Sequence, residues 1–154
     1  MFQDSERSNW GWIIKSVSAS GRDYTTTPID LSVSLSDVVV TFTNAPGSIT
    51  GAVHDRAGAT ASDSAVIAFP VEPEQWQRYG WNPRRIRTAL ASTAGTFAVR
   101  PLPAGEYYVV AVPATEVAAW QTPGFFARAA AAATRVSIAW GEQKTAAVRL
   151  ADIR

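Results

Sequence analysis

Short apolar stretches recur along the chain at intervals of about ten residues, each bounded by turn-forming residues, and that spacing predicts a β-sandwich. The first, Trp10 to Val17, is aromatic and β-branched and gives way to a turn at Gly21-Arg22-Asp23. Asp37 to Thr43 (DVVVTFT) reads as a strand, Asn44 to Gly47 as a turn, and Ile49 to His54 as the next strand, with Ile49, Gly51 and Val53 on one face. After a turn at Asp55 to Gly58, Ala65 to Phe69 is a further strand closed by Pro70. Ile86 to Ala91, Thr96 to Arg100 and Glu106 to Val112 continue the series, and the apolar run EYYVVAV predicts the central strand. Two last strands, Arg135 to Trp140 and Thr145 to Leu150, flank a turn at Gly141-Glu142.

Two segments break the period of two. Glu72 to Trp76 can open a short helix with its acids at the positive end, stopped by Tyr79 to Pro83. Pro113 to Ala133 is the one clear helical region, ending in an alanine-rich run. The expected fold class is therefore an all-β antiparallel sandwich of seven to nine strands with short helices in its loops, over 10–154. Residues 1–9 are expected to form a loose polar lead.

Composition narrows the function classes. Hydrophobic residues make up 47% and charged residues 18%, which excludes a disordered chain. A net charge of +1 offers no electrostatic case for nucleic acid or an anionic membrane, and no apolar run reaches the ~20 residues that span a bilayer. There is no cysteine, and His54 is the only histidine, so thiol chemistry and multi-imidazole metal sites are excluded. No cofactor is expected. The first ten residues, MFQDSERSNW, lack the basic and apolar regions of a signal peptide.

One set of residues resembles a known family. Ile49-Thr50-Gly51-Ala52-Val53, then Asp55 and Gly58, Gly95-Thr96-Phe97, and Leu102-Pro103-Ala104-Gly105-Glu106-Tyr107-Tyr108 resemble the carboxypeptidase regulatory-like domain. Trp76, Arg84-Arg85-Ile86, Trp120, Phe125-Phe126 and the front segment Gly11 to Asp23 extend the resemblance to a subgroup at the C-terminal end of large exported bacterial proteins. The resemblance implies a prealbumin-like (transthyretin-like) sandwich and an accessory role beside neighbouring domains of a parent chain. It also implies an extracellular or cell-envelope location. The hydrolase branch of that fold needs several histidines and a different C-terminal ending, which this chain lacks.

Four chemistries are weighed against a purely structural role. His54, Asp55 and Asp63 with nearby Ser62 and Ser64 are the only residues from which a small hydrolytic site can be assembled, but no G-x-S-x-G elbow accompanies them, and a strand-end surface histidine is the simpler reading. Trp76, Tyr79 and Trp81 with Arg84 and Arg85 can form a stacking platform for a carbohydrate or peptide, against the simpler alternative that the rings pin a long loop to the sheet. The acids Asp55, Asp63, Glu72 and Glu74 match no calcium loop. Lys15 occupies the strand position of an isopeptide lysine, but the last strand offers no Asn or Asp to meet it. Sandwich edges of this composition also allow a homodimer through an edge strand.

Overall fold

A computed structural model describes residues 11–77 and 83–153. The chain divides into two compact units, 1–46 and 47–154, and the division falls inside the range that the sequence reads as one domain.

The smaller unit is a three-stranded antiparallel sheet in the order β2-β1-β3, built from β1 (Ile13–Ala19), β2 (Arg22–Asp23) and β3 (Val39–Thr43). Arg22-Asp23, expected in the turn, pairs with the end of β1 instead, because Ser20 and Gly21 both take positive φ and complete the reversal by themselves. In a regular strand Ile14 and Val17 would point to opposite faces. A register shift between Ile14 and Ser16 absorbs Lys15 as an extra residue, so that Ile14 lies beside Phe42 and Val17 beside Val40. The bulge thus gathers Ile14, Val17, Val40 and Phe42 on one face, while hydroxyl-bearing Thr41 and Thr43 lie on the other. Among the described residues of this unit, only Ala19 is fully buried.

The larger unit is an all-β sandwich. A three-stranded sheet, β10-β4-β7, faces a four-stranded sheet, β6-β5-β8-β9. Its strands are β4 (Gly47–His54), β5 (Ser64–Pro70), β6 (Arg87–Leu90), β7 (Thr96–Leu102), β8 (Gly105–Pro113), β9 (Thr134–Ile138) and β10 (Gln143–Arg149). Between the sheets, Ile49, Val53, Phe97, Val99 and Val148 meet Val66, Ala68, Val109 and Ala111. The region Pro113 to Ala133, expected to be helical, is broken into two 3-10 turns and the six-residue helix α1 (Phe125–Ala130). Pro123 and a left-handed Gly124 start that helix afresh. Phe125, Phe126 and Ala129 of α1 cover the outer face of the four-stranded sheet, against Ile67, Phe69, Val110 and Val112. Strands β5 and β8 are therefore buried on both faces, which is why they read as unbroken apolar runs rather than alternating ones.

The antiparallel expectation fails where the last strand joins the sandwich. β10 pairs with β4 in parallel, Gln143 opposite Ser48 through Arg149 opposite His54. The chain leaves β9 in one sheet and crosses the sandwich to reach β10 in the other, so it arrives running in the direction of β4. Gly51 permits the contact: a Cβ at this position would lie 1.8 Å from the carbonyl oxygen of Ala146. Gly51→Ala should therefore displace β10 and cost on the order of 3 kcal/mol, a fall in melting temperature of roughly 10 °C or more. Thermal unfolding followed by circular dichroism measures it.

Candidate functional site

The residues singled out for chemistry are mostly engaged in holding loops. Nδ1 of His54 lies 3.3 Å from the carbonyl oxygen of Gly58. The Asp55 carboxylate accepts the amides of Ala57 and Ala59 at 2.8 and 2.9 Å, shaping the turn between β4 and β5. Ser64 is buried and donates its hydroxyl to the Ala61 carbonyl at 2.7 Å. Asp63 is exposed and contributes its main-chain oxygen to Ala114. No hydrogen bond joins any two of these side chains, so the geometry assembles no nucleophile, base and orienting acid here. Among the described residues no group of three or more His, Asp or Glu is placed to hold a metal ion. No helix among them is long and apolar enough to cross a membrane.

Trp76 closes a short 3-10 turn, Pro73–Trp76, and is half-buried. Its indole N–H donates to the Pro70 carbonyl at 2.7 Å, and its ring packs edge-on to Phe69 with centroids 5.9 Å apart and against Phe126 at 6.2 Å. Trp120 reaches the same cluster through Phe126 at 6.3 Å. The Trp76 ring thus joins the apolar layer under α1. Tyr79 and Trp81, the other two members of the expected platform, lie outside the described residues.

Arg85 is the organising cation of this region. Its side chain is only 11% exposed and makes an ion pair with Glu72 at 3.0 Å. It also donates to Gln75 Oε1 at 3.2 Å and to the Glu106 carbonyl at 2.8 Å. The guanidinium lies 4.9 Å from the centroid of the Tyr107 ring. Glycine at 105 makes room, since a Cβ there would be 2.6 Å from a guanidinium nitrogen. Tyr107 is fully buried and its hydroxyl donates to the Pro103 carbonyl at 2.7 Å. Burial raises the Tyr107 pKa, opposed by the charge of Arg85. Arg84 is half-buried, and loss of water lowers its pKa. Arg85, Gly105 and Tyr107 together lock the loop after β5 onto the start of β8.

A different place offers open space. β9 and β10 end their respective sheets side by side, and a shallow groove of about 600 Å³ runs along the seam between them. Thr134, Arg135, Ser137, Glu142, Lys144 and Thr145 supply its polar lining. Arg135 is paired with Glu106 and Lys144 with Glu142, both at 2.7 Å. Bonds from Lys144 and from the Ala139 amide hold the Glu142 carboxyl below its ordinary pKa. Sequence reasoning did not find this seam, because it exists only through the parallel placement of β10. The apolar face of the smaller sheet was also missed, and the pattern Val38, Val40, Phe42 was its signal.

No family model matches the chain, and no curated protein matches it in sequence. Solved structures to which the chain bears a weak similarity include the following two. A Pseudomonas aeruginosa protein described as a candidate carbohydrate binder is 16% identical with a TM-score of 0.43, over 68% of this chain and 88% of that one. The TIE protein of Bacillus anthracis is 14% identical with a TM-score of 0.41, over 75% of this chain. The chain spans only 18% of that protein's length.

Two outcomes test the Arg85 lock. Arg85→Lys keeps the charge but loses the fork that reaches Glu72, Gln75 and Glu106 together, and should destabilise the protein by about 2 kcal/mol in chemical denaturation. The Tyr107 hydroxyl gives a pH signature. Its folded pKa is raised above the ordinary 10.0, so its contribution to stability is intact below that pH and is lost as pH rises through the folded value. Tyr107→Phe should remove this component of the alkaline decline while lowering stability at pH 7 by about 1–3 kcal/mol, as Pro103 loses its donor. Denaturation midpoints at pH 7, 10 and 11 decide it.

Proposed function

We propose that this chain is a non-catalytic interaction module of a larger exported bacterial protein, with its larger unit a carboxypeptidase regulatory-like sandwich of the prealbumin type. The family assignment is supported by the structural task each motif residue performs. Gly51 admits β10, Asp55 shapes its turn, Gly105 admits Arg85, and Tyr107 ties back to Pro103. One observation carries the interaction role. Of the eight large apolar side chains exposed among the described residues, seven belong to the smaller unit, and Val39, Val40 and Phe42 of these stand on β3. Apolar side chains clustered in this way mark a surface that another protein covers.

The test is an apolar reporter dye such as bis-ANS. It should brighten on the folded chain, and the double change Val40→Thr, Phe42→Thr should cut the signal at least about fivefold with the circular dichroism unchanged. A folded chain dark to the dye would remove the proposal.

The polar seam between β9 and β10 favours a second reading, as a carbohydrate-binding module, because hydroxyl and charged groups there line an open groove. Trp140 lies beside lining residue Ala139 and can report occupancy. A saturable change in tryptophan emission with soluble glycans, abolished by Lys144→Ala, would support this second reading; a silent titration would end it.

A further inference from the structure

We propose that β3 is a self-pairing edge, through which two copies of this chain join their small sheets into one six-stranded antiparallel sheet. The inference rests on the interaction role proposed above and names its partner as a second copy.

β3 has β1 on one side and, among the described residues, no strand on the other. Its side chains are exposed on both faces: Val39 is 55% exposed on one, Val40 41% and Phe42 52% on the other, with Val38 at 53% just before the strand. Proteins blunt such edges with charged side chains, prolines or bulges. The run Val38 to Thr43 has no charge and no proline, and the bulge of this sheet lies on β1 instead. β-branched and aromatic residues fill it, which favours an extended strand.

The sequence of β3 also suits a copy of itself. In an antiparallel two-fold pairing centred on Thr41, Val40 of each copy lies opposite Phe42 of the other, and Val39 opposite Thr43. Aromatic with β-branched is among the favourable cross-strand pairs. The nearest charge, Asp37, falls opposite Ala45 rather than opposite itself, so no like charges meet. A net charge of +1 gives two copies little reason to repel. The bulge that brings Ile14 and Val17 beside Phe42 and Val40 continues the apolar stripe on both sides of the new seam. Pairing about a two-fold axis consumes the free edge of β3 in each copy and so stops at the dimer.

Light scattering coupled to size exclusion, across about a hundredfold range of concentration, tests the proposal. A concentration-dependent dimer is expected. Thr41→Lys places two lysines face to face at an exposed position and should weaken dimerisation at least about tenfold with the circular dichroism spectrum unchanged. Thr41→Val should leave the dimer intact. A chain that is monomeric at every concentration, a dimer indifferent to Thr41→Lys, or growth into open polymers would each overturn the proposal. Dye binding separates the two claims: a monomer that still brightens bis-ANS keeps the interaction role with another partner, whereas a dark monomer ends both.

Discussion

The larger unit depends on burying β5 and β8 on both faces. Val66, Ala68, Val109 and Ala111 fill the space between the sheets, while Ala65, Ile67, Phe69, Val110 and Val112 lie under α1 and the turns around it. Neither layer is optional, since removing the helical cover would expose Phe69, Val110 and Val112 to water at roughly 2 kcal/mol each. The broken segment between β8 and β9 is therefore structural material. Trp76 and Trp120 belong to the same layer, through their contacts with Phe126.

Much of this architecture was legible in the sequence, because it follows from local rules. Alternation and turn residues located every strand of the sandwich to within a few positions, and EYYVVAV marked an inner strand, as β8 proves to be between β5 and β9. The motif residues were legible for a related reason. Glycines at 51 and 105 answer steric demands made by Ala146 and Arg85, and Tyr107 answers the Pro103 carbonyl. The rest was hidden by its non-local origin. Neither the parallel direction of β10 nor the seam beside it is encoded in the strand's own pattern, which would suit either sheet. The bulge at Lys15 changes which side chains share a face without disturbing composition at all.

The candidate site divides along the same line. Charged and polar groups that looked available in the sequence are spent on backbone: Asp55 on two amides, Ser64 on a carbonyl, Arg85 on a carbonyl as well as on Glu72 and Gln75. Among the described residues, the open surfaces are a polar seam in one unit, its charges paired with one another or with Glu106, and an apolar sheet in the other.

The pairing of β10 with β4 has a consequence in time. Ala146 meets Gly51 across nearly the whole length of the larger unit, so the three-stranded sheet cannot be completed until its most distant strand has left the ribosome. Until then β4, whose inward face carries Ile49 and Val53, lacks the strand that flanks it. A nascent chain in that state presents an unfilled strand position beside β4, open to any extended segment that arrives first. Speed of synthesis through the final strand, and the company the chain keeps while waiting, thereby become determinants of how much protein reaches the native sandwich.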